Sequence, residues 1–200
     1  MTTRIARDFT FQAGVYFKED FLMNIYDIEL YMEVETESIR EQNVAMERIK
    51  FFLNECLENS IFVQDSEVKI IEKYSTCGFK VCTIPEEPYD QIVTLMLLTK
   101  LNSITEGRLM ITGVTLGSRI SDQVKFTCDI ENSRGPFEAH GWWSESGTSI
   151  TAPIKTSSKK DKIVKLFKTP STDWTDVNLL WKEKDINPKS EILFTTEQEK

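Results

Sequence analysis

Histidine is nearly absent from this chain: His140 is the one histidine among 200 residues. Zinc sites usually need several histidine or cysteine ligands at defined spacing, and a serine–histidine pair needs a nucleophile motif such as Gly-x-Ser-x-Gly, which the sequence lacks. The phosphate-loop signature Gly-x-x-x-x-Gly-Lys is also missing. We therefore predict no catalytic residue, no metal site and no cofactor, and we interpret His140 as a surface or ring-stacking residue.

Cysteine and long apolar runs are also scarce. The four cysteines, Cys56, Cys77, Cys82 and Cys128, form no Cys-x-x-Cys pair, which predicts free thiols in a reducing compartment. There is no run of 18 apolar residues, and the first residues lack an apolar signal region. The sequence thus predicts a cytoplasmic protein without a membrane span, located in the virion or host cytoplasm if it is viral.

Negative charge exceeds positive charge, and the formal net charge is −8. The excess of acidic residues falls before residue 131, and the remainder of the chain is close to neutral. A surface that follows nucleic-acid phosphates needs clustered lysine and arginine. We therefore expect no nucleic-acid partner.

One stretch, residues 85–107, organises the chain and predicts a central helix. Pro85 and Pro88 suit a helix start, and Gly107 suits the left-handed residue that follows a last turn. Lys100 is the only polar residue in a stripe that recurs at helical spacing. That stripe consists of Tyr89, Ile92, Val93, Met96, Leu97, Lys100, Leu101 and Ile104.

The first half of the chain predicts strands around a second helix. Residues 9–17 predict a strand, and residues 26–35 alternate between apolar and mainly acidic positions, as a strand with one buried face does. Ser38 and Glu41 form a capping-box signature for a helix that ends near Asn59. Residues 61–63 and 78–83 predict short strands, and residues 67–74 fit either a helical turn or a strand.

After the central helix, residues 108–116 and 124–130 predict two further strands. Strands at both ends with helices between them are typical of an α+β layer. We predict an antiparallel β-sheet with two helices packed on one face, in a single domain that covers residues 1–131.

The tail has a different composition, with all four tryptophans beyond residue 131. We predict a linker over residues 132–161, followed by a C-terminal arm with short strands over residues 162–200. Large indole rings favour burial against a surface. We therefore predict that Trp142, Trp143, Trp174 and Trp181 bind a neighbouring subunit or partner, with a tail folded on its own core as the alternative.

Three local strings resemble the T-fold of 6-pyruvoyltetrahydropterin synthase and related pterin and purine enzymes, over about residues 9–131. Phe9-Thr-Phe-Gln-Ala is similar to the aromatic-x-Phe-Ser-Ala first strand of that family. Pro85-Glu-Glu-Pro is similar in place to its Pro-Thr-x-Glu-Asn helix start, and Gly113-Val-Thr-Leu-Gly-Ser lies where the family carries a substrate-anchoring glutamate.

The resemblance implies a T-fold without the synthase reaction. The first two strands here contain none of the family's three zinc-binding histidines, the Cys–His catalytic elements have no matching positions, and Thr115 and its neighbours include no glutamate. What the resemblance implies is assembly, because T-fold subunits pair their sheets into barrels with ligands between subunits. Glu86 and Glu87, with Thr115 and Ser118, are then the candidate ligand-binding residues. The alternative is that Glu86 and Glu87 only place negative charge at a helix start.

Two functions follow from these patterns. The preferred hypothesis is a non-enzymatic oligomeric assembly or binding protein whose tryptophan-bearing arm contacts a neighbouring subunit or a protein partner. A viral or phage accessory protein would suit it. The alternative is a T-fold-like protein that binds a pterin- or purine-like ligand at a subunit interface. We expect a homo-oligomer in both cases.

Overall fold

A computed structural model describes residues 4–34, 37–122, 124–132 and 135–152 of the chain. The predicted arm at residues 162–200, with Trp174 and Trp181, lies outside this range. The helices and strands, in chain order, are β1 (Arg4–Phe17), β2 (Asp20–Val34), α1 (Ile39–Phe51), β3 (Ser60–Gln64), α2 (Val68–Thr76), β4 (Lys80–Ile84), α3 (Asp90–Thr105), β5 (Leu109–Ser118) and β6 (Lys125–Asp129).

The six strands form one sheet in the order β4-β3-β1-β2-β5-β6. The α+β class is confirmed, but the prediction of an antiparallel sheet is wrong for two strands. β3 runs parallel to β1, and β4 runs parallel to β3. The reason is that α1 carries the chain from β2 back to the far side of β1, and α2 then carries it from β3 to β4. The connection through α2 is a helical crossover between parallel strands, whereas the connection through α1 joins β2 to a strand that runs antiparallel to it.

Two helices pack on one face of the sheet, as predicted, and a third lies on the other face. α1 and α3 pack together on one face over the main hydrophobic core. The other face carries a smaller apolar cluster, in which Ile71 of α2 contacts Ile61, Val63 and Val81 of β3 and β4. The ambiguous stretch at residues 67–74 is therefore a helix, and it covers only the β3–β4 end of that face.

The alternating pattern of β2 gives one buried face and one face turned away from the helices, as predicted. Tyr26, Ile28, Leu30 and Met32 are fully buried under the helices. The residues between them face away from the helices, with Glu29 half-buried and Asp27 exposed. This acidic face is continuous with β1, since Thr10 lies opposite Asp27 and donates a 2.8 Å hydrogen bond to its carboxylate.

The helix ends follow local chemistry. The Glu41 amide donates to Ser38 Oγ at 3.4 Å, so the predicted cap of α1 is confirmed. A six-residue π-helical segment, Phe52–Leu57, continues α1 up to the predicted end. α3 begins at Asp90, five residues later than predicted: Pro88 disfavours the helical region for Glu87, and Tyr89 at the helix cap is extended, with ψ 154°. Gly107 is left-handed with φ 74°, as predicted.

Candidate functional site

The four predicted ligand-binding residues do not converge within one chain. Glu86 and Glu87 lie in the segment before α3. Ser118, at the end of β5, donates a 2.7 Å hydrogen bond to the Asp90 carboxylate at the start of the same helix. Thr115 points to the opposite face of the sheet and shares a 2.9 Å hydrogen bond with Thr127. Thr115 and Ser118 therefore lie on opposite faces of the sheet and cannot contribute to one site within a subunit.

An exposed aromatic ring stands beside the predicted carboxylates. Tyr89 is 46% exposed, and its ring centroid lies 4.8 Å from that of Phe17 in an edge-on contact. The Glu87 carboxylate lies near the Tyr89 hydroxyl and is the main cause that raises the pKa of Tyr89. A carboxylate and an accessible ring thus lie near each other just before α3.

Two of the tryptophans predicted to bind a partner are part of the chain's own core. Trp142 and Trp143 are only 2% and 6% exposed. Trp142 Nε1 donates to the Thr83 carbonyl at 2.8 Å, and Trp143 packs edge-on against Phe137 with a centroid distance of 5.2 Å. This corrects the expectation for these two residues in favour of the alternative, a tail folded on its own core.

Lys100 fixes this tryptophan segment from inside the core. Its side chain is fully buried, and its ammonium group donates 2.7 Å hydrogen bonds to the carbonyls of Trp142 and Glu145. It also lies 5.4 Å from the Trp142 ring centroid, in a cation–π contact. Burial is the main cause that lowers the pKa of Lys100 to about 8. The only polar residue in the central stripe therefore holds the tail against the helix layer.

Residues 149–152 cover one edge of the sheet. The Thr83 amide of β4 donates to the Ile150 carbonyl at 2.9 Å, and the Ala152 amide donates to Thr83 Oγ1 at 2.6 Å. Thr151 Oγ1 donates to the Val81 carbonyl at 2.9 Å. The described part of the predicted linker, residues 135–152, is thus packed onto the domain, and the β4 edge has partners.

An open cleft of about 1120 Å³ lies between α2 and residues 140–152. Among the described residues that line it are His140, Asp65, Glu145 and Ser144. His140 is exposed there, as predicted for a surface residue. The cleft is large enough for a small molecule or a peptide segment and offers both carboxylates and hydroxyl groups.

The opposite edge of the sheet is β6, and no strand of the described chain lies beyond it. Three apolar side chains near the ends of β6 are strongly exposed: Ile120 at 49%, Val124 at 53% and Ile130 at 42%. An edge strand offers main-chain donors and acceptors to another chain, and exposed apolar residues favour such contacts. β6 is therefore the surface best suited to strand addition.

The cysteines are free thiols, as predicted, and two of them are unreactive. Cys82 is fully buried, and burial raises the pKa of its thiol well above the ordinary value. Burial likewise raises the pKa of Cys56 to about 11. Within the described ranges, no three His, Cys, Asp or Glu side chains are placed to hold a metal ion. No described helix has both the length and the apolar character that a membrane span needs.

No protein-family model matches the chain, and no curated protein matches its sequence. Among solved structures, it is similar to an uncharacterized protein from Wolinella succinogenes, with 11% identity, 65% of this chain and 99% of that chain covered, and a TM-score of 0.46. It is also similar to 6-pyruvoyl tetrahydropterin synthase from Plasmodium vivax, with 10% identity, 64% and 97% coverage, and a TM-score of 0.43. The same enzyme from Plasmodium falciparum has 10% identity, with 64% of this chain and 99% of that chain covered, and a TM-score of 0.39.

These solved structures include the family that the sequence strings resemble. The T-fold resemblance is confirmed as a weak one, and it carries no conclusion about what this chain binds or does.

Sequence reasoning missed the β6 edge and the role of Lys100. The composition of residues 124–130 was visible in the sequence, but which strand forms an edge depends on the crossovers through α1 and α2. Lys100 was visible as the polar exception in an apolar stripe. Its partners lie more than 40 residues away along the chain, and nothing local connects them.

Proposed function

We propose that this protein is a non-enzymatic assembly protein that associates with itself through the exposed edge of its sheet. The observation that carries the proposal is the contrast between the two edges. Residues 149–152 cover β4, whereas β6 is flanked in the sequence by three exposed apolar side chains and has no described strand beyond it. Main-chain hydrogen bonds at such an edge supply affinity, and the flanking side chains supply specificity.

The sequence supports a binding role over catalysis. It has a single histidine and no nucleophile or phosphate-loop motif. A protein partner could also use the arm with Trp174 and Trp181, which remains a prediction. The self-association proposed here uses β6 of the folded domain and does not require the arm.

The test is the mass of the full chain in solution as a function of concentration, measured by sedimentation and light scattering. We expect a mass above that of the monomer, which increases with concentration. Val124→Asp should lower it, because the new carboxylate would have to lose its water at the contact. Val68→Asp is the matched control, since Val68 is an exposed valine on α2, at the β4 end of the sheet. A monomer at every concentration, or equal effects of both variants, would refute the proposal.

A second candidate function is the binding of a flat, pterin- or purine-like ring at the start of α3. The observation that favours it is the exposed Tyr89 ring, which packs edge-on against Phe17 and lies near the Glu87 carboxylate. A carboxylate accepts hydrogen bonds from ring N–H groups, and an aromatic side chain stacks on the ring face.

Thermal unfolding with a panel of pterins and purines tests this function. A ligand present at 100 times its dissociation constant adds about 2.7 kcal/mol to the stability of the folded state. Glu87→Gln should abolish the shift, while Glu72→Gln, on the exposed surface of α2, should leave it unchanged. The absence of a shift with every compound would eliminate this candidate.

A further inference from the structure

The charge of the chain changes sign just beyond the described domain. Residues 155–168, the lysine-rich segment, carry six lysines and one aspartate, whereas the rest of the chain carries 18 basic and 31 acidic residues. The last three of these lysines alternate with four apolar side chains, those of Ile163, Val164, Leu166 and Phe167. A segment of this kind fits a surface that offers both carboxylates and apolar side chains.

The cleft beside α2 has this character. Its described lining includes Asp65 and Glu145, both exposed, but no lysine or arginine. Val68 is 43% exposed, and it lines the cleft together with the apolar side chains of Ile71 and Trp143. The cleft volume of about 1120 Å³ exceeds the roughly 300–1,000 Å³ of most small-molecule pockets, which favours a peptide segment as the occupant.

The chain itself leads the lysine-rich segment to this cleft. Ala152, the last described residue, lines the cleft, and its amide donates to Thr83 Oγ1 at 2.6 Å. The amide of Asp65 donates at 2.8 Å to the carbonyl of Ile84, the next residue of β4. Asp65 and Ala152 thus lie beside consecutive residues of one strand. Lys155 follows three residues after Ala152, at most about 11 Å away along an extended chain.

We propose that the lysine-rich segment binds in this cleft of its own chain, with its lysines against Asp65 and Glu145 and its apolar side chains over Val68. The inference goes beyond the proposed function and does not involve β6. A short connection within one chain gives an effective concentration on the order of millimolar, so weak contacts are sufficient. A basic peptide from another protein would have to displace the segment before it could use the cleft.

A second acidic surface of the described domain is less accessible to the segment. It is the sheet face that carries Asp8, Asp27 and Glu29. Two strands, β3 and β1, lie between β4 and β2, and α2 packs over the β3–β4 end of this face. The segment would have to pass α2 to reach these carboxylates, whereas it enters the cleft directly from Ala152.

Carbodiimide cross-linking of the full chain tests the contact, because this reagent joins a carboxylate to an amine that touches it. We expect mass spectrometry to find peptides of the lysine-rich segment linked to Asp65 or Glu145. The same links should form in Val124→Asp, which separates this inference from self-association through β6. A segment that forms no links, or that is linked only to Asp8, Asp27 or Glu29, would overturn the proposal.

Isotopic labelling distinguishes the segment of the same chain from that of a neighbouring one. Labelled and unlabelled full-length chains are mixed before the reagent is added. Linked peptides in which both halves are labelled, or both unlabelled, are the expected result. Pairs of one labelled and one unlabelled half would show that the cleft binds the segment of a second copy, contrary to the proposal.

Limited digestion with trypsin measures how often the segment leaves the cleft, since its lysines are cleavage sites. Asp65→Asn should increase the initial rate of cleavage within residues 155–168 by about threefold, the effect of one surface charge pair on the population of the exposed segment. Asp8→Asn removes an exposed carboxylate from the sheet face and should leave the rate unchanged. Equal rates for wild type and Asp65→Asn, or a larger effect of Asp8→Asn, would place the segment elsewhere. Circular dichroism checks that both variants are folded.

Discussion

Lys100 carries its ammonium group inside the core, bonded to two carbonyls. Burial lowers the pKa of Lys100 to about 8, from an ordinary value of 10.5. The unfolded chain therefore holds this proton up to a higher pH than the folded chain does. The charged form opposes folding below pH 8, and the free energy of unfolding rises as pH increases from about 8 towards 10.5.

A comparison of wild type with Lys100→Met should reveal this dependence. From pH 7.5 to 9, the stability of the wild type should rise by about 1 kcal/mol relative to that of the variant. The thiols of Cys56 and Cys82, whose raised pKa values lower stability at alkaline pH, are present in both proteins. Lys100 lowers the pKa of both thiols, so its removal raises them further and does not reverse the expected difference. Urea unfolding at the two pH values measures the difference. A stability difference that stays constant with pH would contradict a buried, titrating Lys100.

At the residue scale, the sequence predicted the local backbone role of a residue better than its tertiary contacts. Ser38 was predicted as a cap and Gly107 as a left-handed residue, because each rests on the chemistry of one turn. The position of Trp142 was not predictable in this way. Its indole N–H reaches a carbonyl 59 residues away in β4, and only the tertiary fold brings the two together.

An ion-pair network joins α1 to the turn between α3 and β5. Glu106, left-handed at the end of α3 with φ 51°, accepts hydrogen bonds from Arg48 of α1 at 2.8 Å and from Arg108 at 2.6 Å. Arg108 also pairs with Glu41 of α1 at 2.5 Å. Burial alone would raise the pKa of Glu106, but the two arginines lower it to about 2.

Glu106→Gln should destabilise the protein at neutral pH by about 1 kcal/mol, the value expected for a partly exposed pair within a network. Because the folded-state pKa lies below the ordinary 4.5, the contribution is complete above about pH 4.5 and is lost as pH falls towards 2. The two proteins should thus converge in stability at acid pH, as urea unfolding would show. Glu47→Gln, which breaks the Lys50 pair within α1, is the control, and its effect should stay below about 0.5 kcal/mol.

At the scale of helices and strands, the sequence predicted those elements whose apolar residues recur at a regular spacing. The alternation in β2 and the stripe of α3 identified the two main layers of the core. Strand direction was not predictable, because β3 and β4 are short apolar runs that fit either direction. Whether their crossovers return the chain parallel to β1 depends on where α1 and α2 pack, and the pattern of one strand does not contain that information.

For the whole molecule, the folded unit extends at least to residue 152. Phe137, Trp142 and Trp143 belong to the main core, and Ile150 and Ala152 pack against it. A composition rich in Ser, Thr and Gly is typical of a linker. The few aromatic side chains within this segment are nevertheless buried in the core. The domain boundary was predicted at residue 131 from this change in composition, whereas buried residues continue beyond it.

Two truncations should differ sharply. A chain that ends at residue 134 lacks three buried aromatic side chains, each worth about 3–5 kcal/mol in a core, which together approach the whole stability of a domain. Relative to a chain that ends at Ala152, it should lose cooperative urea unfolding and its near-ultraviolet circular dichroism. Similar unfolding midpoints for the two chains would show that residues 135–152 do not contribute to the core.

The place of β1 in the sheet has a consequence for synthesis. This first strand ends up in the interior, between β2 and β3, and the hairpin that it forms with β2 is complete once residue 34 has been made. The apolar side of the hairpin must then wait for α3 and for the rings near residue 142 before it is covered. During translation the β1–β2 hairpin therefore exposes an apolar face until most of the chain has been synthesised. Nascent chains with such an exposed face bind chaperones, and neighbouring copies aggregate through it.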